Sequence, residues 1–203
     1  MITLVDYGLG NLLAFSNLYR RQNVEVTVAK SADELARATH VILPGVGSFD
    51  HAMERLDASG MRATLVALAN KGTPLLGVCV GMQMLAYGSD EGSRPGLGLI
   101  PGRVRAFKTT PAAQALPLPH MGWNDVAPLP GHPLFAGLDT DARFYFLHSY
   151  FFDCERTEHV AARAHYGLDF ACAASAGSVF GVQFHPEKSH HWGERLLKNF
   201  AEL

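Results

Sequence analysis

Short apolar runs alternate with amphipathic stretches over the first half of the chain. Apolar runs bounded by turn residues are typical of buried strands, and apolar positions recurring every three or four residues are typical of helices packed on them. The predicted strands are Ile2–Val5, Val24–Val28, Val41–Leu43 and Pro74–Val78. The predicted helices are Leu12–Arg21, Ser31–Ala38, Phe49–Leu56, Met61–Ala69 and a segment from the end of the fourth strand through Tyr87. Alternating strands and helices predict βαβ units, a parallel sheet and an α/β fold.

Beyond residue 90 the pattern changes to short β-like segments separated by Pro and Gly. These are Val104–Phe107, Asn124–Ala127, Arg143–Tyr150, His159–Ala164, Phe170–Ala174 and Val179–Phe184. Residues 108–122 have little periodicity and predict a surface loop, and Trp192–Leu203 predicts a final helix. The fold expected from both halves is a doubly wound, mostly parallel (mixed) sheet flanked by helices, in a single domain spanning residues 1–203.

Composition excludes several classes of protein. The chain has 203 residues with 48% hydrophobic and 18% charged residues, and 17 basic against 19 acidic side chains give a net charge of −2. Without a block of like charge, a nucleic-acid or anionic-membrane partner is not expected. No apolar run is long enough to cross a bilayer, and Met1–Asp6 lacks the basic region of a signal peptide. Three cysteines without CxxC spacing favour a reducing, cytoplasmic compartment.

The segment Gly77-Val78-Cys79-Val80-Gly81 lies between a predicted strand and a predicted helix. This is the context of a nucleophile elbow, with Cys in place of Ser. Small residues two positions either side of Cys79 are needed because a sharp turn crowds the flanking backbones. A thiol at a helix N-terminus is stabilised as a thiolate, and the N–H of Val80 would point toward an oxyanion. The alternative for the pentapeptide alone is a buried Cys on a tight turn.

A second candidate is Gln183-Phe184-His185-Pro186-Glu187, directly after a predicted strand. Pro186 biases His185 toward an extended backbone, in which residues two apart point to the same side. His185 and Glu187 would then face one another, His185 accepting the proton of Cys79 and Glu187 fixing the imidazole tautomer. Alone, the segment is more typical of a loop; together with the elbow it predicts a Cys-His-Glu triad.

Pro44-Gly45-Val46-Gly47-Ser48 forms a third candidate, again at the end of a predicted strand. Ligands of open parallel sheets bind at the carboxyl ends of the strands, so this loop and the Cys79 elbow should face one cavity. A glycine-rich turn can direct N–H groups at an oxyanion, and a simple βα turn is the alternative.

Together with Val5–Leu12, His120–Asn124 and Phe146–Tyr150, these segments make the chain resemble a class I (triad) glutamine amidotransferase nearly end to end. Val46, where that class usually has glycine, and Met-Gly-Trp-Asn at 121–124 make it similar to the glutaminase subunits of imidazole glycerol-phosphate synthases.

The resemblance implies a flavodoxin-like fold, no cofactor and a thioester at Cys79 that releases ammonia. It implies a (β/α)₈-barrel cyclase as the other half of a heterodimer making imidazole glycerol phosphate and AICAR for histidine biosynthesis. It further implies residues that bind L-glutamine: Gln83, Glu91, His148, Ser149 and Tyr150. Val80 with Val46 and Gly47 would form the oxyanion hole. Because a β-branched residue resists positive φ, we expect the Val46 loop to be inactive until the partner reorients it.

Met121, Trp123 and Asn124 are the expected contacts with the cyclase, since exposed aromatic residues with polar neighbours are typical of interfaces. Two alternatives stay open: a stand-alone cysteine hydrolase and a noncatalytic scaffold subunit. Other conspicuous residues are assigned no chemistry. His190 and His191 lack further metal ligands nearby, Cys154 and Cys172 are expected to pack, and residues 8–11 form a turn rather than a dinucleotide site.

Overall fold

The computed structural model describes residues 1–138 and 140–203 of the chain. Its first half alternates strands with helices, as predicted. The elements are β1 (Ile2–Val5), α1 (Leu12–Arg21), β2 (Val26–Ala29), α2 (Ala32–Leu35), β3 (Val41–Gly45), α3 (Phe49–Ala58), α4 (Arg62–Asn70), β4 (Leu75–Cys79) and α5 (Val80–Met84). The helix predicted over Ser31–Ala38 is present but ends at Leu35; Ser31 caps it, because its hydroxyl accepts a hydrogen bond from the Glu34 N–H at 3.3 Å.

The second half supplies most of the antiparallel strands. The elements are β5 (Gly102–Ala106), β6 (His120–Asp125), β7 (Ala127–Pro128), β8 (Arg143–His148), β9 (Tyr150–Cys154), β10 (Val160–His165), β11 (Asp169–Ala176), β12 (Val179–Val182) and α6 (His190–Ala201). Short 3₁₀ turns lie at Phe107–Thr109, Pro111–Ala113, Pro133–Phe135, Thr157–His159 and Pro186–Lys188.

The main sheet has the order β2-β1-β3-β4-β12-β11-β10-β7. Strands β2, β1, β3, β4 and β12 are parallel neighbours, and β11, β10 and β7 extend the sheet antiparallel. Strands β5 and β9 branch from β11, and β6 pairs with β8 in a separate two-stranded sheet. The prediction of a mixed sheet with a parallel core is therefore confirmed. Every residue of β1, β3, β4 and β12 is buried, which explains their uninterrupted apolar sequences.

Three further predictions of local structure are wrong. The helix after β4 ends at Met84, not Tyr87, because the carbonyls of Met84, Leu85 and Ala86 accept N–H groups from the 97–100 segment. Segment Arg143–Tyr150 is two strands, since the chain leaves β6 at Ser149 and pairs next with β5.

The third error concerns the predicted loop at 108–122, whose last residues belong to β6. His120, Met121 and Gly122 pair with residues of β8. Their partners lie more than twenty residues away, so local sequence contains no sign of the pairing.

No helix among the described residues is long and apolar enough to cross a membrane.

Candidate active site

Cys79 lies on a sharp turn between β4 and α5. Its φ is 56° and its ψ −115°, a backbone conformation that costs a non-glycine residue about 1–3 kcal/mol. The turn brings the flanking backbones together: a Cβ on Gly77 would lie 2.5 Å from the Gly81 carbonyl oxygen, and one on Gly81 would collide with the Leu43 carbonyl oxygen. The steric reason for small residues at 77 and 81 is therefore confirmed. The side chain of Cys79 is buried at the inner end of a cavity.

His185 reaches the same cavity from the end of β12. Its backbone is extended, with φ −101° and ψ 93°, as the following proline predicts. The His185 Nδ1 lies 2.8 Å from Glu187 Oε1, and both side chains are buried. Because Nδ1 is engaged by the carboxylate, Nε2 is left for Cys79. The structure thus brings His185 and Glu187 together, as the sequence predicts. Their roles in catalysis stay a proposal.

The electrostatics of His185 favour a charged ring. Burial disfavours the imidazolium, but interactions with Cys79 and then with Glu187 outweigh burial and raise the pKa of His185 to about 9. A ring that keeps its proton beside a thiol is suited to stabilise a thiolate and to protonate a departing amine.

Hydrogen bonds through Tyr145 and Ser189 hold the backbone of the His185 turn against β8. The His185 N–H donates to the Tyr145 carbonyl at 2.8 Å, and the buried Ser189 hydroxyl donates to the His185 carbonyl at 2.6 Å. That hydroxyl also accepts the Tyr145 N–H at 3.0 Å. These bonds fix the backbone of His185 to β8, one of the two strands of the small sheet.

The cavity has a volume of about 290 Å³. It is lined by Val46, Gly47, Cys79, Val80, Gln83, Glu91, Pro119, Leu147, His148, Ser149, Tyr150, His185 and Lys188. Every residue predicted to bind glutamine or to form the oxyanion hole thus faces one space, whereas Glu187 lies behind His185. Pro119, Leu147 and Lys188 also line the cavity and had no role in the sequence prediction.

The loop after β3 does not place Val46 in the positive-φ region that a β-branched residue resists. Gly47 takes the positive φ, 86°, and Val46 does not. Val46 is 40% exposed at the mouth of the cavity. The β-branched residue therefore occupies a backbone region it tolerates, and glycine takes the one it would resist.

Two buried amides connect the inner wall of the cavity to the thiol. Gln83 Nε2 lies 2.9 Å from Gln183 Oε1, and Gln183 Nε2 lies 3.8 Å from Cys79 Sγ. Gln83 also approaches the Tyr150 carbonyl, at 3.5 Å. Gln183 is fully buried and was missed by the sequence prediction, although its position two residues before His185 at the end of a strand was a usable signal.

A chain of hydrogen bonds fixes His148 in one tautomer. His148 Nδ1 is 2.7 Å from the Tyr150 carbonyl, so Nδ1 carries the proton and Nε2 accepts from His120 Nδ1 at 2.9 Å. Asn124 then donates to His120 Nε2 at 3.3 Å. Burial lowers the pKa of His148 to about 3 and that of His120 to about 4, so both rings are neutral.

Glu91 lies at the opposite wall, where it is fixed by the start of α3. Its Oε2 accepts the Phe49 N–H at 2.8 Å, and the Ser89 hydroxyl accepts the Glu91 N–H at 3.0 Å. The neighbouring Asp90 pairs with Arg103 at 3.3 Å. These contacts give the segment one position, with a carboxylate facing the cavity.

The predicted contact residues lie on the small sheet beside the cavity mouth. Met121 is 65% and Trp123 39% exposed, and their register partners on β8, Leu147 and Tyr145, share the outward face. Asn124 belongs to the other face, where its amide also donates to the His165 carbonyl at 2.9 Å. The exposed face of Met121, Trp123, Tyr145 and Leu147 is called the hairpin face below.

The histidines and cysteines to which the sequence assigns no chemistry pack against other side chains or are buried. His190 stacks on Trp123 at a centroid distance of 5.2 Å, and His191 lies 4.0 Å from the Trp192 ring. Cys154 and Cys172 are free thiols whose pKa burial raises, for Cys154 to about 11. Neither is poised to react as a thiolate.

Comparison with known proteins identifies the family. A sequence model of the family "Glutamine amidotransferase class-I" matches residues 3–203. A relative from Bdellovibrio bacteriovorus, named "Imidazole glycerol phosphate synthase subunit HisH", is 60% identical and covers 100% of both chains. A subunit of the same name from Leptospira interrogans is 48% identical over 100% of both chains. A solved structure described as "Crystal structure of glutamine amidotransferase" matches with a TM-score of 0.77 at 20% identity, covering 99% of this chain and 97% of that one, and supports the fold.

Proposed function

Because the chain belongs to the class I glutamine amidotransferase family, we propose that it is the glutaminase subunit of an imidazole glycerol-phosphate synthase. The observation that carries the proposal is the thiol of Cys79, at a strained elbow, in one cavity with His185, whose ring is hydrogen-bonded to Glu187 behind it. The name shared by full-length relatives at 60% and 48% identity supports this branch of the family.

The proposed reaction proceeds through a thioester. The Cys79 thiolate attacks the carboxamide carbon of L-glutamine, and the carbonyl electrons move to oxygen. The intermediate collapses, the C–N bond breaks, and His185 gives its proton to the departing amide nitrogen, which leaves as ammonia. His185 then takes a proton from water as the water oxygen attacks the γ-glutamyl thioester, the C–S bond breaks, and glutamate and the Cys79 thiolate are released. Glu187 keeps the imidazole oriented and stabilises its charged form.

The cavity walls supply the groups that glutamine requires. The carboxylate of Glu91 is suited to the α-ammonium group of the substrate. The Gln83 amide and the backbone of Ser149 and Tyr150 bind its polar ends, with His148 behind them as a neutral, fixed ring. We assign the oxyanion hole to the N–H of Val80 and to an N–H of the Val46–Gly47 loop.

We further propose that a (β/α)₈-barrel cyclase docks over the cavity mouth as the other half of a heterodimer. Neutral ammonia is lost to bulk water, where it is also protonated near neutral pH, so a sealed passage between two sites is required. The hairpin face adjoins the mouth through Leu147, and Lys188, 5.7 Å from the Tyr145 ring centroid, adds a cation at its edge. Met121 and Trp123 are the proposed anchors, with Asn124 bracing the hairpin from inside.

With that partner, ammonia would be used to form imidazole glycerol phosphate and AICAR for histidine biosynthesis. No cofactor takes part in the proposed hydrolysis. The free thiols of all three cysteines support a reducing cytoplasm as the site of the complex.

Co-purification with the cyclase subunit, followed by glutamine hydrolysis assays with and without it, tests the proposal. We expect a one-to-one complex and a hydrolysis rate that rises on binding. Equal rates with no complex would favour the stand-alone hydrolase, and a complex without hydrolysis would favour the scaffold subunit.

A further inference from the structure

Tyr7 contacts the base of the loop assigned to the oxyanion hole. Its side chain is 2% exposed, and its hydroxyl lies 2.6 Å from the carbonyl oxygen of Pro44. A carbonyl oxygen only accepts, so the phenol is the donor. Met84 Sδ, at 3.6 Å on α5, is a weaker second acceptor. Burial, and then the nearby Cys79, raise the pKa of Tyr7, so the hydroxyl keeps its proton.

The turn carrying Tyr7 is built against Pro44. The Tyr7 carbonyl accepts from Arg55 Nε at 3.3 Å, which holds the turn to α3. Gly10 lies so close to Pro44 that a Cβ there would be 2.6 Å from the Pro44 Cβ. Tyr7 lies just after β1 and Pro44 lies next to the last residue of β3, so this contact is at the point where strand order reverses and open sheets form their ligand crevice.

The hydrogen bond fixes the orientation of one peptide. In a trans peptide the C=O and N–H point in opposite directions, so holding the Pro44 carbonyl toward Tyr7 turns the Gly45 N–H toward β4, where Cys79 is the register partner of Gly45. On one face of the sheet Gly45 is also packed against α5, with a Cβ built on it 2.8 Å from the Val80 carbonyl carbon. Rotation of the loop is therefore confined to the peptides after Gly45.

We propose that Tyr7 is a positioning residue for glutamine hydrolysis, its hydroxyl anchoring the oxyanion loop at Pro44 so that Val46 and Gly47 alone change conformation. The proposal rests on the proposed function. Its consequence is specific: losing the hydroxyl impairs stabilisation of the oxyanion but leaves glutamine binding and the nucleophile intact. Loss of a whole oxyanion donor costs about 10²–10³ in rate, so a misaligned one should cost about tenfold.

Tyr7→Phe in the full complex with the cyclase subunit and its acceptor ligand tests this, with Tyr19→Phe as the matched control. Tyr19 is also fully buried and donates to a backbone carbonyl, that of Leu197 at 3.0 Å, away from the cavity. We expect Tyr7→Phe to lower kcat for glutamine about tenfold with KM within twofold, and Tyr19→Phe to leave both unchanged. Both variants should lose similar thermal stability.

The rate at which iodoacetamide alkylates Cys79 distinguishes an effect on the oxyanion loop from an effect on the triad, because alkylation of the thiol needs no oxyanion hole. We expect the alkylation rate of Tyr7→Phe to equal that of the natural chain. An unchanged kcat, an equal loss of kcat in Tyr19→Phe, or slowed alkylation would overturn the inference about Tyr7 alone. Absence of glutamine hydrolysis by the natural complex would instead overturn the proposed function, and the inference with it.

Discussion

Replacing Cys79 or Glu187, which both interact with the His185 ring, should change the pH range over which that ring is charged. Its pKa is raised from 6.5 to about 9, although burial acts in the opposite direction. At about 1.4 kcal/mol per pH unit, the charged ring is stabilised by about 3 kcal/mol relative to an unfolded chain. Cys79 contributes more to this than Glu187 does. The pKa of His185 should therefore fall further in Cys79→Ala than in Glu187→Gln.

The sign of the stability effect follows from proton binding. Between pH 6.5 and about 9 the folded chain holds a proton that the unfolded chain has released, so the contribution is complete below pH 6.5 and is lost as pH rises through about 9. Urea unfolding at pH 6 and pH 9 should show a larger loss of unfolding free energy for the natural chain than for Cys79→Ala, by up to about 3 kcal/mol.

Titration of the His185 ring by NMR, with its signal assigned by its absence in His185→Asn, gives the pKa directly. In the complex, kcat/KM for glutamine should decline as pH rises through an apparent pKa of about 9, because protonation of the departing amide nitrogen needs the imidazolium. A His185 ring that titrates near 6.5 in the natural chain, or at the same pH in all three proteins, would refute this account of the pair.

Three further predictions concern the loop, the partner surface and the buried histidines. Val46→Gly should raise glutamine hydrolysis by the isolated subunit and reduce its activation by the cyclase and the acceptor ligand, which we expect to be about 10²–10³-fold in the natural chain. Equal hydrolysis rates for the subunit alone, the complex and the complex with acceptor ligand would exclude a gated loop. Trp123→Ala should weaken binding of the cyclase at least about tenfold by titration calorimetry, or increase glutamate formed per product; no change in either would place Trp123 outside the interface. Burial lowers the pKa of His120 to about 4 and that of His148 to about 3, so the unfolded chain binds protons first and stability should fall as pH drops below about 6.5. The free energy of urea unfolding should fall less between pH 7 and pH 5 in His120→Asn than in the natural chain, and an identical fall would contradict neutral rings.

Features decided by local chemistry could be predicted from the sequence. The apolar runs gave the parallel strands because those strands are buried on both faces. The elbow at Cys79 and the facing of His185 and Glu187 followed from glycine spacing and one proline.

Features decided by contacts distant in sequence could not. β6 lies in a Pro-rich segment and exists only because β8 pairs with it, and the strand break at Ser149 reflects a change of partner. The hydrogen bonds from Tyr7 to Pro44 and from Gln83 to Gln183 join residues separated by 37 and 100 positions. Nothing local to Tyr7 indicates that its hydroxyl meets the loop.

The central claim, that Cys79 releases ammonia for a partner, is tested most directly by Cys79→Ala in the assembled complex, with glutamine or ammonium as the nitrogen source. Removing the nucleophile should reduce glutamine-dependent product formation by several orders of magnitude, whereas product formation with saturating ammonium should match the natural complex. Retention of glutamine-dependent synthesis by Cys79→Ala would contradict the claim, as would loss of the ammonium-dependent reaction from an intact complex.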